Sequence, residues 1–235
     1  MEIKIAPEKF ALSLLMVVVF LLAINILGLF LFFGITGYQI FDIVAWFDFD
    51  YENNIPALYS GFILLSCSFF LLIISVSKHR EIYAHSAYWF VLSILFAYLA
   101  IDEICAIHEH IGKITEHFVT AKGFFFFPWV IPYGIFLIFF ILVYLRFLAA
   151  LPLKIRTWFI ASGIIFLSGA VGFEMLGAKE ADLHGINSLK YCILYTIEEF
   201  FEMTGIVCFN YSLLYYIKHE IKYLSVFKIK QISFS

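Results

Sequence analysis

The stretch FALSLLMVVVFLLAINILGLFLFFGI, Phe10–Ile35, runs for 26 residues without a charge. A bilayer core about 30 Å thick is crossed by roughly 20 apolar residues in a helix. A signal-peptide apolar region has about 7–15 residues and ends at a small-residue cleavage site. This stretch is longer and no such site follows it, so it reads as a retained first span.

Working outward, five more long apolar runs follow: Leu58–Ser77, Ile82–Ile111, Gly123–Leu145, Thr157–Gly177 and Tyr191–Ile217. They are continuously apolar and do not alternate in segments of about ten, which excludes a membrane β-barrel. The expected fold is therefore all-α, a polytopic transmembrane bundle of about six spans forming a single membrane domain over residues 1–235. Composition agrees. Hydrophobic residues make up 63% of the 235 and charged residues 14%, against about 25% charged in soluble domains. The net charge of -3 lacks the basic footprint that nucleic-acid binding requires. Cys67, Cys105, Cys192 and Cys208 all fall in apolar runs without C-x-x-C spacing, so they read as small buried hydrophobes.

Charges between the spans orient the chain. With six spans, one side collects Lys4, Lys9, Lys78, Arg80, Arg146, Lys154, Arg156, Lys218, Lys222, Lys228 and Lys230. The other keeps only Lys113, Lys122, Lys179 and Lys190. Eleven against four places both termini in the cytoplasm by the positive-inside rule. The first outer connection, Thr36–Ala57, contains Tyr38–Phe49, which reads as an amphipathic helix lying in the interface. Pro56 suits the first turn of the second span. The basic tail after Ile217 reads as a surface helix beside anionic headgroups.

The acids carry the functional signal. Of eighteen Asp and Glu, fourteen map to the outer half. Seven sit within or against apolar helix: Asp102, Glu103, Glu109, Glu174, Glu198, Glu199 and Glu202. Asp102 precedes Lys113 by eleven residues and Glu202 follows Lys190 by twelve, which sets each roughly 15 Å below the outer surface. A lone acid at the bilayer centre costs about 2.5–3.5 kcal/mol or more, so such groups face a partner, a cavity or a metal. If the third span is one uninterrupted helix, Asp102 shares a face with Glu109, and Glu103 with His110, while His108 points elsewhere. Glu198, Glu199 and Glu202 fall within one 100° sector.

Lysine and arginine are absent from these spans. The carboxylates are then either partly protonated or gathered around cations. Carboxylates with one or two imidazoles form iron, manganese or zinc sites in helical bundles, although neither the E-x-x-H pair nor H-E-x-x-H is present. The plainer reading makes Glu109, His110, Glu174 and Glu198 solvated helix ends, and Asp102, Glu103 and Glu202 hydrogen-bonded structural acids. Asp48, Asp50 and Glu52 form either a solvated loop or a cap over the site. A recurring E-M-x-G, at Glu174–Gly177 and Glu202–Gly205, with the looser Glu109–Gly112, would let helices approach closely beside each acid.

Four segments resemble a widespread group of uncharacterised bacterial multi-pass inner-membrane proteins. They are Asp48-Phe-Asp50-Tyr-Glu52-Asn-Asn-Ile-Pro56, Ile101-Asp-Glu-Ile-Cys-Ala-Ile-His-Glu109, Gly172-Phe-Glu-Met-Leu-Gly177 and Ile197-Glu-Glu-Phe-Phe-Glu-Met-Thr-Gly205. The resemblance implies a pattern of Asp102, Glu103, His108, Glu109, Glu174, Glu198, Glu199 and Glu202. It favours His108, where helical phase favours His110. The expected function is a membrane metalloprotein binding iron, zinc or manganese and acting on a lipid-like substrate. The alternatives are a proton- or cation-coupled transporter and a non-catalytic subunit of a membrane complex.

Overall fold

The computed structural model describes residues 6–36, 45–78 and 83–221. Helices α1 (Pro7–Leu31), α2 (Ile55–Lys78) and α3 (Tyr83–Cys105) are followed by the short α4 (Ile107–Thr115). After them come α5 (Val130–Ala150), α6 (Leu153–Leu167), α7 (Glu174–His184) and α8 (Leu189–Glu220). No strand occurs among the described residues. Five stretches are long and apolar enough to cross a membrane: Pro7–Gly34, Ile55–Ser77, Ser86–Cys105, Val130–Ala150 and Leu153–His184. Helix α8 has 32 residues, about 48 Å at 1.5 Å per residue, but Glu198, Glu199 and Glu202 make it less apolar.

Helix α8 is nonetheless the centre of the molecule. It packs against α1, α2 and α6, and buries Met203, Ile206, Leu213 and the wholly inaccessible Asn210. Inside, Asn210 holds α2 through hydrogen bonds: its Nδ2 donates to the Ile63 carbonyl at 3.0 Å, and its Oδ1 accepts from Ser66 at 2.6 Å. Helices α2 and α3 are joined by reciprocal serine pairs, Ser68 with Ser93 and Ser75 with Ser86. Serines satisfied in this way allow close helix approach where water cannot reach.

Three boundaries differ from the sequence expectation. The third apolar run is not one helix to Ile111. It breaks at Ala106, whose φ of 54° lies in the left-handed region, and the chain restarts as α4. The fourth helix begins at Val130 and not Gly123, because Gly123–Phe125 forms a 3-10 turn and Pro128 precedes the helix. The fifth run continues beyond Gly177 to His184, with a wider π-helical turn at Ser168–Phe173 joining α6 to α7. Pro56 does occupy the first turn of α2. Trp46–Asn54 is a run of turns. The expected interfacial helix falls largely on 37–44 and the basic tail on 222–235, both outside the described residues.

Candidate functional site

The left-handed turn at Ala106 shapes the site. Restarting a helix leaves backbone N–H groups without partners, and an alanine cap supplies no acceptor. Asp102, at the end of α3, fills the role from four residues upstream. Its Oδ1 accepts the His108 backbone N–H at 2.7 Å and lies 3.2 Å from His108 Nδ1. Its Oδ2 accepts the Tyr133 hydroxyl from α5 at 2.8 Å. Beyond the ring, His108 Nε2 stands 3.0 Å from Glu52 Oε1. Both imidazole nitrogens thus face carboxylate oxygens, an arrangement that a doubly donating imidazolium satisfies.

The break also reassigns the histidines. Continuous helical phase favoured His110, yet His110 is exposed and its Nδ1 turns back on the Ala106 carbonyl at 2.8 Å. His108 is the histidine that faces the acids, because the αL residue resets the phase after Cys105. Glu109 is displaced with it. It touches the cavity's rim, but its side chain is 53% exposed and lies 3.8 Å from Lys113. His117 and His184 lie apart, His184 being paired with Glu180 at 2.8 Å.

The remaining acids converge. Glu103 leaves α3 beside Ser60 of α2 and interacts with Glu199 and Glu202 of α8. Glu174 opens α7 directly after the π-helical turn. Its Oε1 accepts the Trp129 indole N–H at 2.8 Å, and its carboxyl lies within hydrogen-bonding reach of Glu198. Two carboxyls in such contact hold a proton or a cation between them. Glycines make this crossing possible. A Cβ on Gly169 would stand 2.6 Å from the Glu198 carbonyl oxygen, and one on Gly205 would stand 2.7 Å from the Phe166 nitrogen. Gly205 fits the close approach that E-M-x-G implied. Gly177 and Gly112 meet only ordinary contacts, at 3.7 and 3.5 Å.

Asp102, Glu103, His108, Glu174, Glu198, Glu199 and Glu202 therefore line one cavity of about 850 Å³, together with Glu52. Glu103, Glu174, Glu199 and Glu202 are half-buried and all line this cavity. Glu52 joins them: of the two readings open to its loop, a solvated segment or a cap over the site, its place in the lining fits the cap. Its Oε2 is buried without a hydrogen-bond partner. The loop carrying it is pinned by two buried asparagines. Asn25 Oδ1 accepts from the Phe49 backbone at 3.1 Å, and Asn54 Nδ2 donates to the Asp48 carbonyl. Asp50 accepts the Tyr191 hydroxyl at 2.6 Å. Burial of its carboxyl pushes the Asp50 pKa up to about 6. The Tyr191 hydrogen bond pulls the other way, and the negative charges of Asp48 and Glu174 add to the rise.

Among the described residues no lysine or arginine pairs with any of these eight groups. Glu180, by contrast, has Lys190 at 2.7 Å. As placed, no three His, Cys, Asp or Glu side chains among the described residues already surround a common point as metal ligands. A bound cation would draw Glu174 and Glu198 from each other, and Glu52 Oε2 into use.

A family model, described as a domain of unknown function (DUF8692), matches residues 10–216. The chain belongs to this family. All the cavity-lining acids and His108 fall within the DUF8692 region. No curated protein and no solved structure shows significant similarity to the chain.

Proposed function

We propose that this DUF8692 protein is a metal-dependent enzyme of the bacterial inner membrane, crossing it six times with both termini cytoplasmic. The carboxylate/His cluster binds one or two divalent cations, iron, zinc or manganese, in the outer leaflet and acts on a lipid-like substrate. One observation carries the reading: seven carboxylates and one imidazole share a cavity, and among the described residues none of these eight is paired with a lysine or arginine, Lys113 at the rim facing Glu109 instead. Carboxylate and imidazole are the donor set of iron, manganese and zinc sites in helical bundles. The orphaned Glu52 Oε2 and the Glu174–Glu198 contact are acceptors that a cation would satisfy. Bound there, such a metal supplies Lewis acidity or an activated water. Asp102 then acts as the positioning residue, fixing the His108 ring through backbone and side chain together. Six spans follow from taking α8 as the sixth, its acids turned to the cavity and its length sufficient.

A second reading, a proton or cation relay, is favoured by the continuous chain Tyr98–Tyr133–Asp102–His108–Glu52. Elemental analysis of the purified protein beside Glu103→Ala and Glu202→Ala separates the two. One or two equivalents of iron, zinc or manganese per chain, lost in both variants, is the expected result. A folded wild type without metal overturns the metal reading and turns attention to proton flux in proteoliposomes.

A further inference from the structure

We infer that the cavity takes a single-chain membrane amphiphile with a protonated amine head, admitted sideways between α5 and α6. This deepens the lipid-substrate reading above and rests on it. The cavity has two chemically distinct parts. Its outer end holds the acids and His108. Its body is apolar, walled by Leu137 and Phe140 of α5 and by Ile160 and Leu167 of α6. A volume of about 850 Å³ lies within the usual range for small-molecule sites.

The side between α5 and α6 is open. Helix α5 makes its principal contact with α3. It is tied there at both ends, by Tyr133 to Tyr98 at 2.7 Å and by Tyr144 to the Tyr88 carbonyl at 3.1 Å. Toward α6, Gly134 and Gly163 line the cavity, and a Cβ on either meets nothing within 4 Å. From Trp129 at the acidic end to Leu148, both cavity-lining, the wall runs roughly 28 Å at 1.5 Å per residue. That nearly matches the ~30 Å bilayer core. A hydrocarbon chain lying along this wall stays at its own depth in the membrane while its head meets the acids.

Charge selects the head. Even with three of the seven carboxyls protonated and His108 an imidazolium, the metal-free cluster keeps a net charge of about −3, and with all seven ionised around two divalent cations and a neutral His108 it is again about −3. A phosphate or carboxylate head is repelled in either state, and an ammonium is attracted. The faces of Trp129 and Tyr133, both lining this end, suit an ammonium as well.

The test uses the full-length protein in zwitterionic nanodiscs with three chain-matched C16 photoprobes, ending in an amine, an alcohol or a carboxylate. Cross-linked peptides are mapped by mass spectrometry, and metal content is measured on the same samples. The amine probe is expected to label α5 and α6 severalfold more than either other probe. Gly163→Leu and Gly134→Leu, each filling open space, are expected to cut that labelling severalfold with metal content unchanged. Amine labelling no stronger than alcohol or carboxylate labelling overturns the head assignment. Labelling that ignores both leucine variants overturns the entry route. Metal-free protein that still shows the expected labelling pattern defeats the metal reading and leaves this inference standing.

Discussion

His108 Nε2 lies 3.0 Å from Glu52 Oε1, joining the α1–α2 loop to the far side of the α3–α4 break. The same ring contacts Asp102 through Nδ1 at 3.2 Å. Removing one member of a buried charged pair costs about 3 kcal/mol, because the other charge stays behind. His108→Ala strands two carboxylates and is expected to lose about that much. Asp102→Ala also frees the His108 N–H and the Tyr133 hydroxyl, and should cost more than Glu52→Ala. A double-mutant cycle on His108 and Glu52, read by thermal unfolding in detergent, should give a coupling of about 1–2 kcal/mol. Additive losses would mean that the loop is held by Asn25, Asn54 and the Asp50–Tyr191 hydrogen bond, without help from His108.

Asp50 gives a pH prediction with a definite sign. Its folded pKa of about 6 lies above the ordinary 3.8, so the folded state holds the proton more tightly than the unfolded chain. The resulting penalty is absent below pH 3.8, grows as pH rises toward 6, and is complete above it. Asp50→Asn keeps an oxygen to accept the Tyr191 hydroxyl and removes the charge. Its Tm should exceed that of wild type at pH 7.5, and the gap should close near pH 4. More than a third of the residue is open to water, so solvent screening limits the gain to about 2 °C. Equal melting points at both pH values would refute the burial of this carboxylate.

How far the sequence revealed the site depends on the range of the signals. Uninterrupted apolar runs located α1, α2 and α5, and Pro56 marked the start of α2. Charges inside apolar helix stood out against their surroundings, so Glu103, Glu174, Glu199 and Glu202 were visible as a group. The αL turn at Ala106 was not, because alanine is the strongest helix former and neither glycine nor proline marks the break. What stabilises that turn carries no local helix-stop signal: Asp102, four residues upstream, caps α4 from within an apolar run, and Gly112 is seated on Trp129. Phase counted through the break selected His110 in consequence. Glu52 reaches His108 across 56 residues of chain, beyond the reach of any local pattern. Gly169 sits in an apolar run where a glycine ordinarily signals nothing, and only the crossing of α8 gives it a role.

The glycines at that crossing should respond oppositely to those in the groove. An alanine Cβ at Gly205 meets the Phe166 nitrogen at 2.7 Å and its Cα at 2.9 Å. Backbone cannot rotate away as a side chain can, so α6 must move off α8. Overpacking of this kind costs about 1–3 kcal/mol, and here it also separates Glu174 from Glu198. Gly205→Ala should therefore lower both Tm and metal content. Gly163→Ala meets open space and raises helix propensity by as much as about 1 kcal/mol, so it should hold or raise Tm. Similar behaviour of the two variants would contradict the packing described for α6 against α8.

Trp129 offers an optical report on the metal reading. Its indole donates to Glu174 and its rings lie 4.9 Å from His108 and 5.3 Å from Tyr133, centroid to centroid. Trp89 packs elsewhere, on Phe147 and Phe159, Trp158 packs on Tyr211, and Trp46 is 60% exposed. Of the four tryptophans, Trp129 is the one that lines the acidic cavity, so a paramagnetic ion bound among the carboxylates would quench it first. Titrating Mn²⁺ into chelator-stripped protein should quench part of the tryptophan emission in a saturable way, and Trp129→Phe should remove most of that change. The variant also deprives Glu174 of its donor, so Mn²⁺ affinity should be followed separately by electron paramagnetic resonance. Saturable quenching that survives Trp129→Phe would place the ion away from Glu174 and His108. Absence of saturation in a folded wild type would argue against a cation centre at these acids, leaving the Tyr98–Glu52 hydrogen-bond chain as the feature to pursue.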